Sequence, residues 1–582
     1  MVTGYTNYQV EIRDEKYITD DGRKYPRTAN VMLFDEKGEE IGNELFGDVD
    51  IETLYSLISE GKPLILDKCY IKDFSLSAYR RLNRIEKKEP VFINSFSAIN
   101  AFFEANISTD FSYSSFKDGD INFEGSHFGR GKVLFNGSVF GKGNVNFSNT
   151  LFRNGNIEFT GTVFGVGDFL FKNAIVKDGK KDFQDIQFGS GEVSFANTEF
   201  NNGELLFINT RFNSGRFNFK VTRIEGGKVD FHYSVFGDCE IMFERTEFGN
   251  SRVDFRTVDF GSGRVNFNRA VFGNGEVNFE GASCKASRFY FKKAEMGSGV
   301  KNFNLMEMED TDISFERTEF GDGDVSFYES KVHSISLKSC HLDHYLDLRL
   351  AKAELLDITD TIARDIVDIE PYDFPVNIKI IDMSGMRLLG KLYIDWRQNK
   401  CEQAIVNQEG TTLRQKAEQF RILKENFSST GKYEDEDKAY IMFKRYEAKS
   451  WLTEQEERGG IRRILSYVPH AFQWLIFDKV GLYATSPGRV LFSVVVFWFI
   501  FGSVYFAIDL TGLGKTVSSV ANPDHLSVLV QSYYHSAITF FTIGYGDVYP
   551  VGLSRLVSGL EGFMGVFMMS YFTVAFVRKV LR

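Results

Sequence analysis

Phe260-Gly261-Ser262-Gly263-Arg264-Val265-Asn266-Phe267 states the pattern that organises most of this chain. Phe returns at every twelfth position from Phe123 to Phe327, and a second ladder stands five residues after each first position, through Phe128, Phe140, Phe248 and Phe272 to Phe320. Where the second ladder lacks Phe it carries Val176, Ile224, Cys284, Met296, Met308 or Val332. Residues two apart, such as Val265 and Phe267, share one side of a strand. The residue between them then faces out, as expected for Asn122, Asn146, Asp230, Asp254, Asn266 and Asn278. In the five-residue half a Ser, Thr or Ala takes the inward place two before Phe, as in Thr198-Glu199-Phe200 and Ala270-Val271-Phe272. This reads as a β-solenoid over residues 111–400, C-terminal cap included, with Phe rings stacked along its axis. A 24-residue coil with sides of five and seven fits better than a 12-residue coil, which would crowd two Phe rings into a narrow core. About nine such coils would extend roughly 45 Å at about 4.8 Å per strand.

The pairing of a small and a large inward residue resembles the pentapeptide-repeat β-helix, with two residues and a glycine corner added on alternate sides. The functional reading of such a rod is a sensor, a docking surface or a multimerisation spacer. Some pentapeptide-repeat proteins imitate DNA, but outward positions here mix Arg223, Arg245, Arg252, Arg256, Arg264 and Arg269 with Asp and Glu, so no acidic face is expected. A formal net charge of -11 also argues against a nucleic-acid partner, which calls for a basic excess.

Working toward the N-terminus, residues 63–110 read as a cap at the start of the solenoid and residues 1–62 as a small α+β cap. In the latter, strands are expected around Tyr8 to Ile12 and Val31 to Phe34, joined through a turn at Glu36-Lys37-Gly38. A helix is expected from Ile51 to Ser59, with Asp50 as N-cap and Gly61 closing it. The first residues are charged and polar, unlike a signal peptide. Cys69, Cys239, Cys284, Cys340 and Cys401 form no CxxC pair, which fits a reducing cytosol better than a disulfide framework or a zinc cluster.

Toward the C-terminus the period fades over residues 336–396, read as last coils plus a cap. His341 and His344 beside Asp343 read as surface histidines, since no further ligand cluster accompanies them. Residues 410–455 change to helical spacing, with Phe420, Leu423 and Phe427 followed by Ala439, Phe443 and Tyr446 across a turn at Ser428-Ser429-Thr430-Gly431. This predicts a helical hairpin that links rod to membrane. Residues 460–485 mix Phe472, Trp474, Leu475 and Ile476 with Arg462, Arg463 and Lys479, the composition of a segment lying on a membrane surface.

The remaining residues, 486–582, hold two apolar runs, one expected to span at about 489–509 and one at about 553–578. Basic residues precede the first (Lys479, Arg489) and follow the second (Arg578, Lys579, Arg582), which places both termini in the cytoplasm. Between the runs, Asn522-Pro523-Asp524 opens a half-membrane helix to about residue 541, followed by Thr542-Ile543-Gly544-Tyr545-Gly546-Asp547. A Thr and two glycines beside an aromatic let successive carbonyls face one axis, where four copies would replace the water shell of a cation.

Residues 536–550, Ser-Ala-Ile-Thr-Phe-Phe-Thr-Ile-Gly-Tyr-Gly-Asp-Val-Tyr-Pro, resemble the pore helix and filter of two-transmembrane potassium channels. The resemblance covers roughly the last hundred residues. It implies ion sites at Thr542, Ile543, Gly544 and Tyr545, with Gly546 closing the loop and Asp547 held behind it by an aromatic, here Tyr534. It also implies an inner-helix hinge at Gly565 or Gly562, a cavity and inner gate at Met569, Thr573 and Val577, and a homotetramer around the ion path. The family's pore-helix Glu is replaced by Ile538. The expected whole is a potassium channel, multi-pass in a bacterial plasma (inner) membrane, gated by the solenoid and hairpin through an unknown cytosolic ligand or protein. The alternative is a membrane-anchored scaffold whose solenoid binds a protein partner. No nucleophile, phosphate loop or metal cluster stands in a setting for catalysis, so no enzyme activity is expected, nor any cofactor beyond potassium ions in the filter.

Overall fold

The computed structural model describes residues 4–117, 119–286, 288–458, 460–520 and 526–581. The chain divides into two compact units, Met1–Gln408 and Glu409–Arg582.

In the first unit, parallel pairing sets Val133 opposite Ile157, Val139 opposite Val163, Val145 opposite Phe169 and Leu151 opposite Ile175, each pair one coil apart. Side chains keep the same step, as where Asn144 N donates to Asp120 Oδ1 (2.8 Å) and Asp168 N to Asn144 Oδ1 (2.9 Å), so the four-sided coil is 24 residues long. Many ladder Phe rings from successive coils stack nearly parallel (Phe111 on Phe135, 4.8 Å and 3°; Phe123 on Phe147, 4.6 Å and 5°), whereas the run from Phe147 to Phe243 tilts by 40–50° between coils; neighbouring ladder rings within a coil meet edge to face (Phe111 and Phe123, 5.5 Å and 86°). Both stacked and edge-to-face geometries suit the ring quadrupole. The small inward residue has its own reason: the hydroxyls of Thr162, Thr198, Thr222 and Thr246 each donate to the carbonyl of the Phe 27 residues earlier, at 2.6–2.9 Å.

Several expectations are corrected. The solenoid has about 14 turns, not about nine. Coil pairing is already present at Leu64 opposite Phe96 and persists to Asp368 opposite Tyr393, so residues 63–110 are coil and no separate cap. Their period is hidden by the inserted helix α2 (Leu76–Leu82), which follows α1 (Ile51–Ser59). Toward the far end the period fades because coil length changes, not because coils stop: Val325 faces Leu346, a step shorter than the repeat, and Val367 faces Leu392, a step longer than it. Finally, Asp230 and Asp254 are fully covered although their strands aim them outward. Each carboxylate curls back to accept from the amide two residues on (His232 at 3.0 Å, Arg256 at 3.1 Å) and is paired with Lys228 or Arg256, both at 2.6 Å.

Two inward Val positions carry lysine. Lys181 stands between Ile157 and Leu205, and its Nζ reaches the carbonyls of Asn201 (2.9 Å) and Asn202 (3.0 Å); Lys301 reaches Gly297 O at 2.5 Å. Burial pushes both ammonium groups down to about 8.

Strands Asn7–Arg13, Thr28–Phe34 and Glu40–Val49 form an antiparallel cap whose last strand pairs with Cys69–Lys72. Tyr5, Tyr8, Val31 and Leu33 pack over Phe102 and Leu151. An open sheet edge, which would otherwise recruit other strands, is thereby covered. The helix α1 runs between Asp50 and Gly61 (φ 66°), though the Asp50 side chain makes no capping hydrogen bond. At the far end α3 (Cys401–Val406) buries Cys401, Ala404 and Ile405, and Gln408 Nε2 donates to Ile381 O at 2.5 Å.

The second unit opens with α4 (Leu413–Ser429), started by a capping box of Thr412 and Gln415, and α5 (Tyr433–Arg458). Then come α6 (Gly460–Phe472) and a π-helical stretch, Gln473–Val480. Next are α7 (Pro487–Leu510), α8 (Val528–Phe540) and α9 (Ser554–Val580). Both α7 and α9 are long and apolar enough to cross a membrane. Strands Gly514–Ser518 and Val548–Gly552 pair antiparallel between them. The expected helix start at Asn522, Pro523 and Asp524 lies outside the described residues, as does Arg582. The described α8 begins after Ser527, whose hydroxyl accepts from Val530 N.

Candidate functional site

Helix α8 ends at Phe540, and the loop that follows has left-handed backbone at alternate residues, Thr542 (φ 56°), Gly544 (φ 62°) and Gly546 (φ 78°). The amides of Ile543 and Gly544 turn back to Ile538 O, at 2.9 and 3.2 Å. Among the described residues no donor reaches the carbonyls of Thr542, Ile543, Gly544 or Tyr545. Ile543 and Tyr545 are exposed in the single chain.

Polar ties hold the loop's far end. Tyr534 Oη donates to Asp547 Oδ2 at 2.7 Å, and Ser519 donates through its amide to Asp547 O (2.8 Å) and through its hydroxyl to Gly546 O (2.6 Å). Gln531 Nε2 donates to Thr516 O at 3.0 Å, which ties α8 to the strand pair.

Gly565 lies in uninterrupted helix, with its Cα pressed against the Phe540 carbonyl, so a side chain there would collide with backbone; Gly562 faces open space. Met569, Thr573 and Val577 follow at four-residue spacing, all exposed in the single chain.

Sequence reading missed the role of two clusters. Glu561 of α9 is completely buried, with its carboxylate between Tyr505 of α7 (Oη to Oε2, 2.7 Å) and Ser536 of α8, whose hydroxyl meets Oε1. An acid inside an apolar span is itself a signal for a specific partner. The second cluster ties the hairpin to the end of α9: Asp437 of α5 meets Arg578 (3.1 Å) and Lys579 (3.4 Å), Glu436 lies 3.8 Å from Arg578, and the Arg578 guanidinium sits over the Tyr440 ring at 4.4 Å. Nearby, Arg445 grips Asp478 through two nitrogens, the shortest contact at 2.8 Å. The acids stand in the first turns of α5, where nothing in sequence spacing points to residue 578.

Residues 493–582 match the ion channel family. Protein LctB of Geobacillus stearothermophilus is 35% identical over 113 residues, covering 19% of this chain and 78% of the relative. The chain belongs to the ion channel family. Protein LctB of Bacillus caldotenax is 33% identical over 82 residues, which cover 13% of this chain and 61% of that relative's length. No solved structure matches the chain. As an ion channel it is a membrane protein, and α7 and α9 belong in the lipid bilayer. Among the described residues no cluster of His, Cys, Asp or Glu is arranged to hold a metal.

Proposed function

We propose that this ion channel conducts potassium selectively as a homotetramer. The observation that carries the reading is the loop at residues 542–546: left-handed backbone at alternate positions, the Ile543 and Gly544 amides turned to Ile538, and the carbonyls of residues 542–545 met by no donor among the described residues. Carbonyl rings replace a hydration shell only when several loops surround the ion, and one loop per chain requires four chains. Thr542, Ile543, Gly544 and Tyr545 then supply the ion sites, Gly546 closes the loop, and Asp547 with Tyr534 holds its outer end. Potassium ions are the only cofactor. Met569, Thr573 and Val577 line the inner path, and Gly565 or Gly562 allows α9 to bend.

Opening is governed through the hairpin. Asp437 and Glu436 hold the end of α9 through Arg578 and Lys579, so a displacement of α5 bears directly on the helix that follows the filter. A cytosolic ligand or protein acting on the solenoid would provide that displacement. The termini lie on the cytoplasmic side of the plasma membrane, as the basic residues flanking the spans require.

The test is potassium and sodium flux through the purified full-length chain in lipid vesicles. A potassium preference of at least tenfold is expected; equal fluxes would overturn the selectivity. Single-channel recording of Asp437→Asn and Arg578→Gln should give an altered open probability in both, and wild-type gating in both would overturn the hairpin's role.

A further inference from the structure

We propose that Glu561 is the positioning residue of the filter: its carboxylate bridges the two helices that flank it, α7 and α8, and holds α8 in the place that sets the spacing of the loop carbonyls. The inference rests on the potassium-channel reading above.

Glu561 has no exposed surface, and both its oxygens are engaged, one by Tyr505 of α7 and one by Ser536 of α8. Ser536 also lies 3.1 Å from Trp498 O of α7, and Trp498 Nε1 donates to Tyr533 O of α8 at 3.1 Å. One acid thus joins α7, α8 and α9 in a water-poor layer, where an unmatched polar group is costly and a matched one holds geometry firmly.

The position on α8 is what gives the bridge a functional meaning. Four residues beyond Ser536 is Phe540, and four residues beyond Glu561 is Gly565, which presses on the Phe540 carbonyl. Helix α9 therefore braces α8 at two points one turn apart, a side-chain bridge at Ser536 and a backbone contact at Phe540. Between them lies Ile538, the carbonyl that receives the Ile543 and Gly544 amides. Any tilt of α8 is carried through Ile538 O straight into the loop, whose discrimination between cations depends on where its carbonyls stand.

Among the described residues His535 also stands against this cluster, with its ring 4.9 Å from Tyr505 and edge-on to it, and no Lys or Arg is found in hydrogen-bond contact with the carboxylate. The bridge acts through hydrogen bonds, and an amide of the same length can make them: Gln offers an acceptor to Tyr505 and a donor to Ser536.

The experiment compares full-length wild type with Glu561→Ala, Glu561→Gln, Ser536→Ala and Tyr505→Phe in vesicles, reading the potassium-to-sodium permeability ratio and the assembly state in parallel. Wild type must show the potassium preference; if it does not, the channel reading fails and not the bridge. Given a selective wild type, Glu561→Ala should lower the ratio at least tenfold, Ser536→Ala and Tyr505→Phe should each lower it severalfold, and Glu561→Gln should restore it to within about threefold. A wild-type ratio in Glu561→Ala overturns the proposal. If Glu561→Ala does not assemble, Ser536→Ala and Tyr505→Phe decide it: an unchanged ratio in both overturns it. Failure of Glu561→Gln to rescue an assembled channel overturns the hydrogen-bond mechanism.

Discussion

The solenoid and the loop at residues 542–547 use the same backbone chemistry to opposite ends. In each coil the carbonyls find amides one coil away, as when Phe135 N donates to Glu158 O at 2.7 Å and Phe147 N to Leu170 O at 2.6 Å, so every turn completes its neighbour. In residues 542–545 the amides of Ile543 and Gly544 are satisfied while the carbonyls are met by no donor among the described residues. A structure that satisfies itself is stable in one chain; one that keeps acceptors in hand has a use for something else. The difference separates the part that stores stability from the part proposed to handle an ion.

The largest expected effect lies in the loop. Gly544→Asp places a side chain on a left-handed residue (φ 62°) and a carboxylate among the carbonyls, and should abolish potassium flux in vesicles while leaving the solenoid's circular dichroism and melting unchanged. A joint loss of both would mean that the regions are not separable. Next in size, Phe219→Ala removes a fully buried ring that packs on its neighbours, at a cost of about 3–5 kcal/mol. Hydrogen exchange should quicken in the coils around residue 219, with the permeability ratio of the assembled channel unaltered. A changed ratio would join what the comparison divides.

A smaller effect probes the solenoid core by pH. Lys181 is held down to about 8 by burial, against an ordinary 10.5. At pH 7 both folded and unfolded chains carry the proton, and the folded one bears its burial. Between about 8 and 10.5 the unfolded chain keeps a proton that the folded chain has released, so stability rises with pH across that window. Lys181→Leu, the residue found at Leu205 one coil on, should therefore stabilise the fold by about 1–3 kcal/mol at pH 7, and less as pH climbs through the window. Thermal melts at several pH values measure it; a constant difference would sink the assignment.

The legibility of these regions follows from how local their causes are. The coil was readable because Phe123 and its successors repeat the same local demand, and strand alternation turns that period into an inward face. Coil number was not, because one shortened coil, as between Val325 and Leu346, erases the period without disturbing the pairing. The exposure of Asp230 and Asp254 was misjudged for a related reason: strand alternation sets the direction of a side chain, and only the neighbouring amide decides that it folds back. The loop motif was legible because backbone conformation there depends on its own glycines. Glu561 stands as an acid in an apolar span, but its partners come from two other helices.

The sequence by itself determined the inward Phe ladders, the two apolar helices and the glycine-bearing loop, since each depends on residue type and spacing along a few turns of chain. Tertiary structure alone decided that Glu561 meets Tyr505 and Ser536, that Gly565 serves close packing on Phe540, and that Asp437 holds Arg578. These contacts join residues 25 to 141 positions apart, and no local preference encodes which distant group a buried charge will find.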